Sequence, residues 1–266
     1  MQRSRFRILV AEDNPTNLEV CRHFLQKAGI EQVETAENGV EVLRLLGDEP
    51  TAFDLILMDV RMPEKDGIET TRDIIARWAS PNRRPRIVAL TAHAFVEETR
   101  RCLEAGMDAC LSKPLRAGDL ESVIDRLLLA GAEEGNTRAV EDEENEPRMD
   151  LVDWKQFDMI VDAPDSPCVG ILSDFIASIP PAMSDLQQAA GAGDASRVAD
   201  IGHQFKGSAN SFGFVAFGKN MLEAEKAGRT DGEWLETFSG DDWREKCLAL
   251  LQETVATVVR ERGIRL

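Results

Sequence analysis

Apolar and polar positions follow two different patterns along the chain, and the change comes near residue 130. In the first half, short apolar runs of strand length alternate with segments whose apolar residues recur every three or four positions. The runs predict strands at 7–11, 32–36, 53–60, 86–90 and 109–112. The helical segments lie around 18–25 and 40–46 and at 68–78, 95–105 and 118–129. Strands alternating with helices predict an α/β domain with a parallel sheet covered on both faces.

The second half of the pattern is purely helical. Predicted helices lie at 153–161, 170–190, 195–211, 215–227 and 241–262. Long helices with short connections favour an antiparallel bundle. Residues 131–149 show no apolar period and carry 2 basic and 7 acidic side chains, as a solvated linker does. We therefore predict a first domain at 1–130, an acidic linker at 131–149 and a second domain at 150–266.

Charge and cysteine content narrow the classes of partner and compartment. The chain has 266 residues and a formal net charge of −17, so it repels nucleic-acid phosphates and anionic membrane surfaces. It has 5 cysteines with no CxxC pair, which argues against a disulfide scaffold or a zinc site and favours a cytoplasmic protein. No apolar run approaches the roughly 20 residues of a membrane helix.

Chemically reactive side chains follow four of the predicted strands. Glu12 and Asp13 follow the first strand, Asp59 lies at the end of the third, Thr91 follows the fourth and Lys113 follows the fifth. In open α/β sheets, sites form at the carboxyl ends of the strands. The fold would therefore bring these five residues together.

The chemistry of this set points to phosphoryl transfer. Two carboxylates about 4 Å apart repel by roughly 4 kcal/mol at an effective dielectric of 20, so three in one pocket require a cation or proton uptake. Oxygen ligands suit Mg²⁺, and a carboxylate such as Asp59 can attack phosphorus. Lys113 and the Thr91 hydroxyl can hold phosphoryl oxygens. The alternative for Asp13 is that it caps the helix that begins near Pro15.

Four sequence motifs resemble the receiver domains of two-component signalling, over about residues 5–130. They are Val10-Ala11-Glu12-Asp13-Asn14, Leu57-Met58-Asp59-Val60-Arg61-Met62-Pro63 with Asp66-Gly67, Leu90-Thr91-Ala92, and Leu111-Ser112-Lys113-Pro114-Leu115. The resemblance implies a flavodoxin-like (βα)₅ fold with Asp59 as the phosphoacceptor, Thr91 as the switch hydroxyl and Lys113 as the phosphoryl contact. It also implies a cis Lys113–Pro114 bond and Mg²⁺ held by Glu12, Asp13, Asp59 and the backbone carbonyl of Arg61.

One position departs from the receiver pattern. Receivers usually carry an aromatic switch residue three positions before the lysine, and here that residue is Cys110. The departure puts the aromatic switch in doubt and favours a phosphoryl conduit over a domain that drives an effector. The other interpretation is that Cys110 is a small buried hydrophobe.

The histidine of the helix predicted at 195–211 faces away from its apolar stripe. With Val198 at zero, the stripe of Val198, Ile201, Phe205 and Phe212 lies between about 300° and 0°, while His203 lies at about 140°. Gly207 costs this helix about 1 kcal/mol relative to Ala, which close approach of another backbone would explain. A neutral imidazole can attack an acyl phosphate, and Lys206 could offset phosphoryl charge. The alternative is an ordinary surface histidine.

The segment His203-Gln204-Phe205-Lys206-Gly207-Ser208-Ala209-Asn210-Ser211-Phe212-Gly213 resembles the histidine-phosphotransfer motif. This resemblance covers about residues 150–266 and is strongest at the motif. It implies a four-helix bundle with His203 exposed midway along one helix. Phe214 and Phe217 are expected in the core.

Together these features predict a phosphorelay protein. A histidine kinase would phosphorylate Asp59, and His203 would exchange the phosphoryl group with a downstream receiver or response regulator. A linker of about 19 flexible residues spans about 24 Å, so transfer from Asp59 to His203 within one chain is within reach. The receiver would catalyse its own aspartyl phosphorylation, and the chain would act as a phosphoryl-transfer intermediate.

Three other functions remain to be weighed. An autokinase would need an ATP-binding domain, and the chain has neither a GxxxxGK[ST] motif nor room for that domain, although it could be the C-terminal part of a hybrid sensor kinase. A pure interaction module that transfers no phosphoryl group would not need the complete receiver and histidine-phosphotransfer motifs, which argues against it. A DNA-binding regulator would need a basic recognition face, which the acidic second half lacks. The Arg83-Arg84-Pro85-Arg86 patch is interpreted as a solvated loop.

Overall fold

The computed structural model describes residues 3–49, 51–78, 84–91, 96–129, 151–230 and 235–266. They divide into two compact units, the first within residues 1–144 and the second within residues 145–266. The predicted linker at 131–149 lies outside the described residues. Each unit is described separately below.

The first unit is built on a five-stranded parallel sheet with strand order β2-β1-β3-β4-β5. The strands are β1 (Arg7–Ala11), β2 (Gln32–Ala36), β3 (Leu55–Asp59), β4 (Arg86–Thr91) and β5 (Ala109–Ser112). All five lie where the apolar runs predict them, although β3 is shorter than 53–60. Because the strand order reverses beside β1 and β3, a crevice opens at their carboxyl ends, where α/β proteins place their sites.

Helices cover both faces of this sheet. They are α1 (Pro15–Lys27), α2 (Gly39–Leu46), α3 (Gly67–Arg77), α4 (Val96–Glu104) and α5 (Ala117–Ile124). The predicted helix 118–129 is not uniform, because α5 continues into a π-helical turn at Asp125–Leu129. The Arg3 guanidinium binds the carboxylate of Asp125, which begins this turn, and that of Glu121 in α5. This ties the beginning of the chain to the end of the domain.

The two faces of the sheet follow from strand alternation. Leu9, Ile56 and Ala89 point to one face, where they pack with buried residues of α2, α3 and α4. Helices α1 and α5 pack against each other over the other face. The α/β fold class predicted from the pattern is confirmed, with the flavodoxin-like arrangement that the receiver resemblance implies.

The arginine-rich segment before β4 corrects one prediction. The Arg84 side chain is only 6% exposed, and its guanidinium binds Asp108 at 2.7 Å and the Gly106 carbonyl at 3.1 Å. Arg86 binds the same carboxylate at 3.0 Å, which also accepts the Ile87 N–H. The interpretation as a solvated loop is therefore wrong for Arg84. Asp108 lies 24 residues further along the chain, and its carboxylate offsets the cost of burying the Arg84 guanidinium.

The second unit is helical. Its helices are α6 (Trp154–Ile160), α7 (Cys168–Gly191), α8 (Ala195–Ser211), α9 (Val215–Arg229), α10 (Leu235–Ser239) and α11 (Asp241–Arg262). The four long helices α7, α8, α9 and α11 pack on one another as a bundle. The short helix α10 has no counterpart in the sequence prediction. Among the described residues, no helix combines the length and apolarity needed to cross a membrane.

Phenylalanine rings fill the centre of the bundle. Phe175 of α7 stacks on Phe205 and Phe212, with ring centroids 6.2 and 5.8 Å away. Phe214 and Phe217 are fully buried, as predicted. The predicted apolar stripe of α8 is confirmed, since Val198, Ile201, Phe205 and Phe212 are all buried. This packing turns the opposite side of α8 towards α9 and the surface.

Candidate functional site

Three carboxylates meet at the carboxyl edge of the sheet in the first unit. One oxygen from each of Glu12, Asp13 and Asp59 can be chosen so that all three lie within 4.8 Å of one another. Glu12 and Asp59 are buried, whereas Asp13 is exposed. The buried pair is placed by adjacent strands, because Ala11 of β1 pairs with Met58 of β3.

Lys113 lies in contact with this cluster. Its Nζ donates to Glu12 Oε2 and to Asp59 Oδ2, both at 2.5 Å. Its backbone N–H donates to the Thr91 carbonyl at 2.7 Å, so the buried Thr91 is held beside the lysine at the end of β4. The Lys113–Pro114 bond is cis, as the receiver resemblance implies. The structure thus brings Glu12, Asp13, Asp59 and Lys113 together, with Thr91 adjacent through the backbone.

The charges of the cluster are strongly coupled. Burial, reinforced by the nearby Asp59 carboxylate, raises the pKa of Glu12 to about 7 despite the Lys113 ammonium. Burial alone would lower the pKa of Lys113, but the Asp59 and Glu12 carboxylates raise it above its ordinary value. With all groups ionised, three carboxylates and one ammonium leave a net charge of −2. Hard oxygen donors with that net charge fit a divalent cation such as Mg²⁺.

The loop after β3 shapes the surroundings of Asp59. The Arg61 N–H donates to Asp59 Oδ1 at 3.0 Å, which fixes the orientation of the carboxylate. Gly67 begins α3 so close to the strand end that a Cβ there would lie 2.1 Å from the Asp59 carbonyl oxygen. A glycine is therefore required where α3 begins. In the Asp66-Gly67 pair of the sequence motif, Gly67 allows this close approach, and the Asp66 side chain caps α3 by accepting the Glu69 N–H.

The N-cap of α1 shows whether Asp13 caps this helix, as the alternative interpretation of the sequence holds. The Asn14 side chain, not that of Asp13, accepts the Thr16 and Asn17 N–H groups. The capping interpretation of Asp13 is therefore wrong. Asn14 meets the capping requirement of the helix, which leaves the Asp13 carboxylate at the cluster.

A second charged cluster surrounds His203 in the helical unit. His203 Nδ1 lies 2.9 Å from Glu225 Oε1, and Lys206 Nζ donates to Glu225 Oε2 at 2.5 Å. Arg229 Nη2 lies 2.7 Å from the same Oε1. Glu225 is buried, while the His203 side chain is 22% exposed. Burial of a glutamate between three nitrogen groups satisfies its oxygens and orients the imidazole.

The ionised Glu225 carboxylate determines which ring nitrogen of a neutral His203 carries the proton. Burial would raise the pKa of Glu225, but the hydrogen bonds from His203 and Lys206 lower it well below its usual range. The ionised carboxylate can only accept, so Nδ1 of a neutral His203 carries the proton. The lone pair then lies on Nε2, at the other side of the ring. An imidazole nitrogen with a lone pair is chemically able to act as a nucleophile.

Two glycines allow α9 to reach His203. A Cβ at Gly202 would lie 2.5 Å from the Glu225 backbone nitrogen and 2.8 Å from the Met221 carbonyl oxygen. A Cβ at Gly228 would lie 2.4 Å from the Ala195 carbonyl oxygen. Helices α8 and α9 therefore touch backbone to backbone. This spacing places Glu225 within hydrogen-bond distance of His203 and Lys206.

Comparison with known families agrees with this geometry. The family model described as Response regulator receiver domain matches residues 8–125, and the model described as Hpt domain matches residues 170–258. The chain carries a receiver domain followed by an Hpt domain. Both family resemblances seen in the sequence are thus confirmed. The carboxylate cluster belongs to the receiver domain, and the His203 cluster to the Hpt domain.

Individual relatives match one or both domains. The aerobic respiration control sensor protein ArcB of Escherichia coli K12 is 29% identical over 89% of this chain and 30% of its own length. The sensor histidine kinase GacS of Pseudomonas protegens is 40% identical over 44% of this chain and 13% of its own. The chain thus spans less than a third of the length of these relatives. A solved receiver domain of the sensor histidine kinase PA1611 from Pseudomonas aeruginosa PAO1, with magnesium in its active-site cleft, is 37% identical over 46% of this chain and 96% of its own, with a TM-score of 0.41.

Glu225 is the site residue that the sequence analysis missed. Phe217, Met221 and Glu225 recur at four-residue spacing on the buried side of α9. A carboxylate within an apolar stripe of that kind signals a buried partner. Lys206, predicted as a cation for a phosphoryl group, is only 5% exposed and binds that carboxylate. The predicted exposure of His203 is only partial, because α9 packs beside it.

The glycine contact yields a prediction for the Hpt domain. In Gly202→Val, the added Cβ meets the α9 backbone, which cannot move as a flexible side chain would. We expect the free energy of unfolding of this domain to fall by about 3 kcal/mol, the upper part of the overpacking range. Urea titration with amide hydrogen exchange in α8 and α9 reads this domain separately from the receiver.

The matched control is Gly170→Val in α7. Gly170 is also a helical glycine, but a Cβ there would meet nothing within 4 Å. This variant should change stability by less than about 1 kcal/mol. Equal urea midpoints for the two variants would show that the helix contact at Gly202 is unimportant.

Proposed function

We propose that this chain is a phosphorelay protein in which Asp59 accepts a phosphoryl group from a histidine kinase and His203 exchanges it with a receiver. The observation that carries the proposal is the presence, in one chain, of a carboxylate cluster held by a lysine and of an imidazole oriented by a buried glutamate. Each cluster has the groups needed for one half of a relay.

The receiver half requires a carboxylate nucleophile and cations for the incoming phosphoryl oxygens. An Asp59 oxygen attacks the phosphorus of a phosphohistidine, the P–N bond breaks, and the imidazole leaves as the aspartyl phosphate forms. Lys113, already 2.5 Å from Asp59 Oδ2, then exchanges a carboxylate contact for a phosphoryl oxygen. Thr91 supplies a hydroxyl at the end of the neighbouring strand.

We propose Mg²⁺ as the cofactor of this half. The carboxylates of Glu12, Asp13 and Asp59 would hold it, with the backbone carbonyl of Arg61 as a further ligand. When bound, the ion offsets negative charge on the phosphoryl oxygens. The net charge of −2 at the cluster and its hard oxygen donors support this choice.

The Hpt half requires an available imidazole nitrogen and compensation for the charge that builds on the ring. His203 Nε2 attacks the phosphorus of an aspartyl phosphate, and the Asp carboxylate leaves. The product retains the proton on Nδ1, so the ring becomes cationic, and the Glu225 carboxylate 2.9 Å away stabilises that charge. Lys206 and Arg229 offset the charge of Glu225, so the cluster favours a phosphoryl dianion nearby.

The partners and the domain bounds are part of the proposal. Phosphate would come from a histidine kinase and pass to a receiver, either Asp59 of this chain or a response regulator. The domains would be 1–130 and 150–266, joined by the acidic linker 131–149. ArcB and GacS are much longer than this chain, and in our alternative proposal the chain is the C-terminal part of a hybrid sensor kinase.

The test is the chemistry of the label on the wild-type chain. A radiolabelled, phosphorylated histidine kinase is mixed with the chain in the presence of Mg²⁺, and the labelled chain is split between acid and base treatment. We expect one fraction of label that is stable in acid and labile in base, from an acyl phosphate, and a second with the opposite lability, from phosphohistidine. A chelator added before the kinase should prevent the first fraction and, because the phosphoryl group enters at Asp59, the second fraction as well.

Absence of label on the chain would contradict the proposal. If several kinases leave the chain unlabelled while labelling a separate receiver, the interaction-module alternative replaces the proposal.

A further inference from the structure

The first turn of α1 returns a side chain to the carboxylate cluster of the receiver domain. Asn17 Nδ2 donates to Glu12 Oε1 at 3.0 Å. Lys113 Nζ donates to the other oxygen of the same carboxylate, Glu12 Oε2, at 2.5 Å. An ionised carboxylate can only accept hydrogen bonds, and here each of its buried oxygens has a donor. Asn17 is therefore in direct contact with a residue of the proposed Mg²⁺ site.

The way α1 begins explains how Asn17 reaches the cluster. Asn14 is the N-cap, and its Oδ1 accepts the backbone N–H groups of Thr16 at 3.0 Å and of Asn17 at 3.4 Å. Asn17 thus occupies the position at which a capping box carries Glu or Gln, whose side chain turns back to the N–H of the N-cap residue. Here the side chain turns back to Glu12, which precedes the N-cap residue by two positions. It joins the start of α1 to the residue that follows β1.

An amide suits this position better than the residues that a helix start usually takes. A glutamate, the common residue of a capping box here, would bring a further negative charge to the cluster of Glu12, Asp13 and Asp59. An apolar side chain would leave Glu12 Oε1 buried without the donor that it has now. The NH₂ group of Asn17 donates a hydrogen bond and adds no charge. The residue type therefore matches the needs of the cluster.

The two hydrogen bonds fix the plane of the Glu12 carboxylate. The last torsion of a glutamate side chain is broad, so covalent geometry alone leaves that plane free to rotate. The backbone of Glu12 is already held, because its N–H donates to the Ala36 carbonyl at the end of β2 at 3.0 Å. The proposed function moves Lys113 to a phosphoryl oxygen. Asn17 then remains as the donor that keeps the carboxylate in place.

We propose that Asn17 is a positioning residue of the receiver site, which holds the Glu12 carboxylate in the orientation that binds Mg²⁺. The inference rests on the proposed function and adds to it a residue that lies three positions beyond the first receiver motif. Hydrogen-bond partners that orient the ligands of a metal typically contribute about 10- to 100-fold to its affinity. The Mg²⁺ affinity of the chain therefore depends on the Asn17 amide.

The experiment is a calorimetric titration of the full chain with Mg²⁺, in about 0.15 M salt to screen weak cation binding elsewhere on the acidic chain. In Asn17→Leu, which is close in size but has no donor, we expect the Kd for Mg²⁺ to rise about tenfold. The matched control is Gln26→Leu, which removes an amide from an exposed position of the same helix. Its Kd should equal that of the wild type.

A second readout separates positioning from a loss of stability. The rate of acid-stable labelling from a phosphorylated histidine kinase is measured against Mg²⁺ concentration. Asn17→Leu should need about tenfold more Mg²⁺ for half its maximal rate, yet reach the wild-type rate at saturation, because Asp59 and Lys113 are unchanged. Asn17→Ala, which adds no apolar bulk, should show the same shift. Asn17→Gln retains the amide on a longer side chain and should recover part of the affinity.

The outcomes distinguish this inference from the proposed function. Equal Mg²⁺ affinity in the wild type, Asn17→Leu and Asn17→Ala would overturn the role of Asn17 and leave the phosphorelay intact. A maximal rate that stays low in Asn17→Leu and Asn17→Ala at saturating Mg²⁺, or an equal loss of affinity in Gln26→Leu, would assign the effect to the stability of α1 and also overturn it. A wild-type chain that binds no Mg²⁺ would contradict the proposed cofactor, and this inference with it.

Discussion

In the Asp59→Asn variant, we expect no acid-stable, base-labile label from a phosphorylated histidine kinase, whereas the wild-type chain is labelled. An amide oxygen is a far weaker nucleophile than a carboxylate, so the acyl phosphate cannot form. The substitution also removes one negative charge from the cluster with Glu12 and Asp13, which weakens the proposed Mg²⁺ site. The measurement is the amount of label that survives acid and is lost in base.

The matched control is Asp73→Asn, an exposed aspartate of α3 that pairs with Lys65. It removes the same charge from the same domain without touching the cluster, and its labelling should equal that of the wild type. Unchanged base-labile label in Asp59→Asn would place the phosphoacceptor elsewhere. If Asp59→Asn still acquires acid-labile label at His203, phosphate enters through the Hpt domain and the relay runs in the opposite direction.

In the His203→Gln variant, we expect complete loss of the acid-labile label. Glutamine can still hydrogen-bond to Glu225, so the Hpt domain should keep its fold, but it has no nitrogen lone pair that attacks phosphorus. The base-labile label on Asp59 should persist, because the receiver site is separate in sequence and chemistry. Retention of acid-labile label would show that another residue is the acceptor.

Variants of Glu225 distinguish its role in orienting the His203 imidazole from the role of His203 as phosphoryl acceptor. Glu225→Gln retains an oxygen that accepts the Nδ1–H of His203, so phosphohistidine should still form. Glu225→Ala removes that acceptor and leaves Lys206 without its buried partner, so we expect slower labelling and lower stability of the Hpt domain. Equal labelling rates for the Ala and Gln variants would contradict the proposed positioning by Glu225.

Much of the fold could be predicted from local pattern. The predicted strand 109–112 and the predicted helices 195–211 and 241–262 agree with β5, α8 and α11 at both ends. Errors fall at element ends and in short pieces: β3 is shorter than predicted, α7 begins at Cys168 rather than at 170, and α10 was missed. Periodicity identifies long elements because many residues contribute to it, whereas an end depends on a few backbone contacts.

The receiver site was predictable because its residues share one position in the fold. Each follows a strand, and parallel strands deliver their carboxyl ends to the same edge. Glu12, Asp59 and Lys113 accordingly meet through the sheet register. The sequence could not show that Asn14 rather than Asp13 caps α1, because either side chain can accept the first free N–H groups of a helix.

The sequence by itself determined the α/β and helical units, the two families, and the side of α8 on which His203 lies, because these depend on periodicity and short motifs. Only the tertiary structure decided what His203 touches. Glu225 reaches it because Gly202 and Gly228 let two backbones come into contact, and periodicity specifies a buried face but not how closely the facing helix approaches. The same reason applies to the burial of Arg84 against Asp108, since the two side chains lie 24 residues apart in the chain and meet only in the folded domain.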